Sequence, residues 1–153
     1  MYEELLEEIA ANRRKRGRDL QPPASDAQLA DLRKRARQQL RYELPDAHLA
    51  FLRRANGLDY NGLSLYCSER SVIVGTQDRY IPGFVEANQD WRAGGSYRDQ
   101  IIFGHSANAN YAYNTKESAW QVRMQPTDTV VGTVGSFEEL ILRALESHRP
   151  PQG

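Results

Sequence analysis

The feature that most constrains this chain is a change of hydrophobic period near residue 57. Before it, apolar residues recur every three or four positions; after it, they mostly alternate. The first spacing lines one stripe of a helix, and the second lines one face of a strand. "LPDAHLAFLRRANGLDYNGLSLY", residues 44–66, carries the switch between two Asn-Gly pairs. His48, Leu49, Phe51, Leu52 and Ala55 repeat as on a helix, and Pro45 suits its first helical position. Asn56-Gly57 accepts positive φ, so it reads as the helix stop. Leu63, Leu65 and Cys67 alternate with Ser64 and Tyr66, which predicts a half-buried strand. Asn61-Gly62 is then the turn into that strand. Leu58-Asp59-Tyr60 is expected as a short loop with its acid and aromatic exposed.

The flanking segments follow the same two periods. Tyr2, Leu5, Leu6 and Ile9 predict a first helix over residues 2–16, acidic early and arginine-rich at its end, as the helix dipole favours. Residues 17–24, with Gly17 and Pro22-Pro23, form a linker. Ser25 and Gln28 make a capping box for a second helix. Its narrow stripe of Leu29, Leu32, Ala36 and Leu40 places it on the outside of the fold. "SVIVG", residues 71–75, reads as a strand, and "FVEANQDWR" as a short helix. "IIFG", "YAYNT", "AWQVRM" and "TVVGTV" read as four further strands, with "NTKES" as a hairpin connection. Ser136 and Glu139 open a last helix, and "RPPQG" reads as a frayed tail. Helices come first, then consecutive strands with one helix inserted, then a closing helix. That order predicts an α+β fold in one domain, with a mainly antiparallel sheet of about six strands flanked by helices. The core is expected over 25–146 and the tail over 147–153.

Composition narrows the function classes. A chain of 153 residues fits one domain and can bury roughly 70% of its unfolded surface without staples. Its single cysteine, Cys67, excludes an internal disulfide and fits a reducing compartment. No apolar run approaches the roughly 18 residues of a membrane span. The N-terminus has acid before base, the wrong order for a secretory signal. A cytoplasmic protein with no membrane partner is therefore expected. The 20 basic and 20 acidic residues cancel, which argues against a whole-molecule polyanion binder. The basic residues cluster, however, in "RRKRGR" (13–18) and "RKRAR" (33–37). These runs are either solvated helix ends or contacts for nucleic acid or an acidic partner.

Candidate chemistry is sparse. His48, His105 and His148 lack metal-ligand spacing, and no metal or cofactor is expected. His105, in "FGHSANAN", has the one suggestive setting, but no third group joins it and Ser106, so no catalytic residue is assigned. "VGTVGSFEEL" lacks a phosphate cradle, and Glu138 and Glu139 would repel phosphate from that helix start. Tyr111, Tyr113 and Trp120 suit cross-strand pairing. Tyr60, Tyr80, Trp91 and Tyr97 fall in or beside expected loops, among several carboxylates. They either cover a sheet edge or form an interaction surface. Asp59, Tyr60, Asp78, Tyr80, Asp90 and Trp91 are the partner-binding candidates.

"ELPDAHLAFLRRANGL" resembles the signature of the SMI1/KNR4, or SUKH, superfamily, and the "DQIIFGHSANANYAYNTK" segment looks like that family's central sheet. "VVGTVGSFEELILRAL" resembles its closing strand and helix. The resemblance runs collinearly over roughly residues 25–146, with Leu44, Pro45, Phe51, Leu52, Asn56, Gly57, Ser136 and Phe137 as signature positions. One departure is Asn108 and Asn110, where family members often carry an acid. The resemblance implies an α+β fold and no catalytic residues. It also implies an immunity protein that binds and blocks a cognate bacterial toxin, often a nuclease. Two alternatives stand beside that reading. One is a small-ligand binder or enzyme using a pocket near His105. The other is nucleic-acid binding through the basic helix ends.

Overall fold

The computed structural model describes residues 1–151. Three helices lead: α1 (Glu3–Arg14), α2 (Asp26–Arg35) and α3 (Asp46–Arg54). Then follow β1 (Leu58–Tyr60), β2 (Leu63–Leu65), β3 (Ser71–Val72), β4 (Tyr80–Ile81) and α4 (Phe84–Arg92). The chain closes with β5 (Gln100–His105), β6 (Ala109–Asn114), β7 (Ala119–Met124), β8 (Thr129–Val134) and α5 (Phe137–Glu146). Six strands form one antiparallel sheet in the order β1-β2-β5-β6-β7-β8, while β3 and β4 pair separately. This is the α+β architecture that the period change predicts.

Local chemistry explains most boundaries. Ser25 accepts the Gln28 N–H at 3.1 Å and its own N–H donates to the Gln28 side chain at 2.9 Å, closing a capping box. Beyond Arg35 the helix loosens into a π turn, Ala36–Leu40, and stops at Arg41 in the left-handed region. Ser136 caps α5 by accepting the Glu139 N–H, while the Glu139 carboxylate accepts the Gly135 N–H. "NTKES" is a hairpin connection: Asn114 pairs with Ala119, and the Asn114 side chain accepts the N–H groups of Lys116 and Glu117.

Several expectations are corrected. Pro45 sits at the N-cap of α3, one position before the first helical residue. The helix ends at Arg54, with Ala55 already extended, so Asn56-Gly57 is not its cap. The Asn56 amide instead clamps Ser68, accepting its N–H at 2.8 Å and donating to its hydroxyl at 3.0 Å. Gly57 has φ +88°, and a Cβ there would lie 2.9 Å from the Cys67 Cβ. Positive φ and close backbone approach both require glycine at this position. Leu58–Tyr60 is a strand, not an exposed loop. It pairs with Leu63–Leu65 through Asn61-Gly62, whose φ values of 48° and 82° are those of a two-residue hairpin turn. Only Ser71–Val72 of "SVIVG" is strand, because Ile73 and Thr76 close a turn there. α1 is shorter than its expected range at both ends. The tail is tied down as far as Arg149, which pairs with Glu8. Gln152 and Gly153 of that expected tail lie outside the described residues.

The core lies between the sheet and the helices, and α1 to α5 all contribute buried residues to it. Phe103 sits at its centre, with the rings of Phe84, Phe137 and Trp120 at 5.4, 5.3 and 5.7 Å. His48, on α3, is surrounded by Phe84, Phe103 and Phe137 at 5.0–5.1 Å and is 2% exposed. Burial pulls its pKa down to about 3, so the ring is neutral at neutral pH.

One junction positions the site below. β2 pairs with β5 only through Ser64 and Leu65, and Tyr66 adds one N–H bond to the Phe103 carbonyl. The chain then turns away, and Cys67 bridges to Gly83 instead. Where β2 leaves, the buried Asn88 amide of α4 takes its place. Its Oδ1 accepts the Ile102 N–H at 2.7 Å and its Nδ2 donates to the Ile102 carbonyl at 2.8 Å. A side chain thus makes the two bonds that a neighbouring strand residue would make.

Candidate functional site

The divergence of β2 from β5 opens a surface pocket of about 300 Å³ lined by Tyr66, Pro82, Ala87, Asp90, Trp91 and His105. Two of the six sequence candidates, Asp90 and Trp91, meet here. Trp91 belongs to α4 rather than to a loop. Its indole N–H donates to the Tyr66 oxygen at 2.9 Å, and that oxygen lies 2.6 Å from His105 Nδ1. An indole nitrogen can only donate, so the Tyr66 oxygen accepts from Trp91 and shares a second hydrogen bond with His105. Burial raises the Tyr66 pKa and lowers that of His105, so both groups are neutral at neutral pH. Trp91 also packs edge-on against Tyr97 and His105, at 5.1 and 5.9 Å. These contacts hold the aromatic walls in one arrangement.

The catalytic pairing suggested by adjacent His105 and Ser106 is not assembled. The Ser106 hydroxyl lies 3.2 Å from the Asn108 side chain, and the His105 Nδ1 is taken by Tyr66. Across the ladder from His105 stands Asn110, fully buried, with no protein partner for either side-chain polar atom. Among the described residues there is no group of three His, Cys, Asp or Glu able to hold a metal ion. No helix of the described residues is long and apolar enough to cross a membrane.

A second concavity, of about 440 Å³, lies where the end of α1 meets β1. Arg13, Arg16, Arg18 and Arg79 line it together with Asp59 and Tyr60. Asp59 and Tyr60 are the second pair of sequence candidates to come together. Tyr60 is buried, and its hydroxyl donates to the Asn12 side chain at 2.7 Å. Asp59 lies 3.6 Å from Arg79. Asp78 and Tyr80 join neither concavity. Asp78 is exposed between β3 and β4, and Tyr80 carries the Arg70 guanidinium over its ring at 3.9 Å.

The signature positions have structural roles. Leu44, Phe51, Leu52 and Phe137 are core residues, and Ser136 is a cap. Sequence reasoning missed Tyr66 and Arg79 as site residues. Tyr66 stands 39 positions from His105, and only the antiparallel pairing of "LSLYC" with "IIFGHS" joins them.

Against known protein families and curated proteins, the chain matches no family model and no curated protein.

Proposed function

We propose that the chain is a non-enzymatic binding module that engages a partner protein through the Asp90–Trp91 pocket. The proposed partner is a cognate bacterial toxin, neutralised by direct contact. The observation that carries this reading is the pocket itself: a tryptophan, a tyrosine and a histidine locked by hydrogen bonds, with a carboxylate beside them. Rigid aromatic pockets of this kind receive the anchor side chains that dominate binding energy. The carboxylate and the indole face favour a cationic anchor, such as lysine or arginine. The motif resemblance to SMI1/KNR4 immunity proteins supports the choice of partner. A nuclease, whose surface is basic, is the first toxin class to test.

The test is co-expression with the toxin encoded beside this chain. Cells survive with the wild-type protein, and equal death with and without it ends the proposal. In the same system, Trp91→Ala should weaken binding by about thirtyfold or more, as expected when an anchor contact worth about 2 kcal/mol is lost. A small ligand in the same pocket is the second reading, favoured by the position of His105 in its wall. A His105→Ala variant with unchanged function removes catalysis from that reading.

A further inference from the structure

The two arginine-rich runs look alike in sequence and differ in the fold. In the second run, Arg33 and Arg37 share Glu43, while Arg35 bonds Asp31, Glu86 and the Ser68 carbonyl. In the first run, Arg13, Arg16 and Arg18 pair with no carboxylate among the described residues, and all three face the same cleft. Arg79 enters from the β3–β4 side, so four guanidinium groups meet one carboxylate, Asp59.

The cleft is built rather than incidental. Arg13 lies over the Tyr60 ring at 5.6 Å, and its Nε is buried with no protein partner. Desolvation lowers its pKa, as expected for a guanidinium drawn inward without a bound carboxylate. The stem of Arg18 rests on Gly75, where a Cβ would come within 3.3 Å of it. The negative end of the α1 dipole does not cancel this charge. That end carries only about half a unit of negative charge, against a net excess of guanidinium groups in the cleft.

We propose that this cleft binds a compact ligand carrying two or more phosphate groups, either a nucleoside polyphosphate or a free oligophosphate chain. The uncompensated charge sets the sign, and planar guanidinium forks match phosphate oxygens in pairs. A volume of about 440 Å³ suits a small molecule. An extended nucleic-acid strand needs a longer basic track, and the second run supplies none because its arginines are already paired. This site is separate from the His105 pocket, and its failure leaves the toxin proposal standing.

The experiment is calorimetric titration of the full chain with tripolyphosphate, ATP and a single-stranded RNA oligonucleotide at moderate salt. Tripolyphosphate and ATP should both bind. ATP binding tighter than tripolyphosphate makes the nucleoside part of the ligand, and equal affinity assigns the phosphate chain alone. Arg16→Gln and Arg79→Gln are exposed changes, and each should weaken binding about tenfold or more by removing a charge-assisted contact. Asp59→Asn should tighten it. The paired-run control, Arg33→Gln with Arg37→Gln, should change nothing, and circular dichroism melts confirm that each variant folds. No binding of either phosphate probe overturns the proposal. So does equal weakening by the control, or RNA binding tighter than tripolyphosphate.

Discussion

Two histidines in this molecule sit among aromatic rings, and they do opposite things. His48 is enclosed by three phenylalanines, its Nδ1 has no protein partner, and the ring serves as packing. His105 touches Tyr66 and Trp91, shares a hydrogen bond with Tyr66 through Nδ1, and lines an open pocket. Aromatic surroundings alone therefore do not mark a site. A side-chain hydrogen bond on the ring and an opening to the surface do.

The difference can be broken from the interior side first. The folded-state pKa of His48, about 3, lies below the ordinary 6.5, so the unfolded chain binds more protons between those values. That part of the stability is whole above pH 6.5 and is lost as the pH falls toward 3. The slope should approach about 1.4 kcal/mol per pH unit, roughly 3 kcal/mol between pH 6 and 4. Urea melts of wild type and His48→Leu across that range should show the slope in the first and its loss in the second. Parallel curves would mean that His48 is not held neutral by burial. A smaller effect is expected in the pocket. Tyr66→Phe leaves the Trp91 N–H and the His105 Nδ1 without their shared oxygen and should cost about 1–2 kcal/mol. Altered near-ultraviolet dichroism of the indole should accompany that loss, and an unchanged melt would show that the relay adds nothing to stability. The smallest effect belongs to Asp90→Asn. The side chain is exposed, so stability should move by less than about 0.5 kcal/mol. Partner affinity should fall, which separates recognition from folding at adjacent residues.

Legibility in the sequence tracked element length. The bounds of α4, β7 and β8 coincide with the quoted segments, because nine or six residues are enough to show a period. β1 and β4 are three and two residues long, too short to show any period, and exist because neighbours pair with them. Asp90 and Trp91 were legible as an acidic and aromatic pair. Tyr66 was not, and His105, singled out by its own setting, could not be joined to them, because strand pairing brings both there. The arginine runs teach the same point. Arg35 and Asp31 are four residues apart on one helix, a pairing readable from the sequence. Glu86, 51 positions away, arrives only through the fold.

The Asn88 amide has a consequence for how the sheet finds its alignment. In an extended strand, successive residues point their N–H and carbonyl groups toward opposite edges. The amide can engage Ile102, whose two polar groups face α4, but not its neighbour Ile101, whose groups face the β6 edge. It therefore acts as a proofreading key. A misaligned β5 would leave a buried amide and an exposed strand edge both unanswered, and only the native alignment seats the helix that carries Trp91 to the pocket.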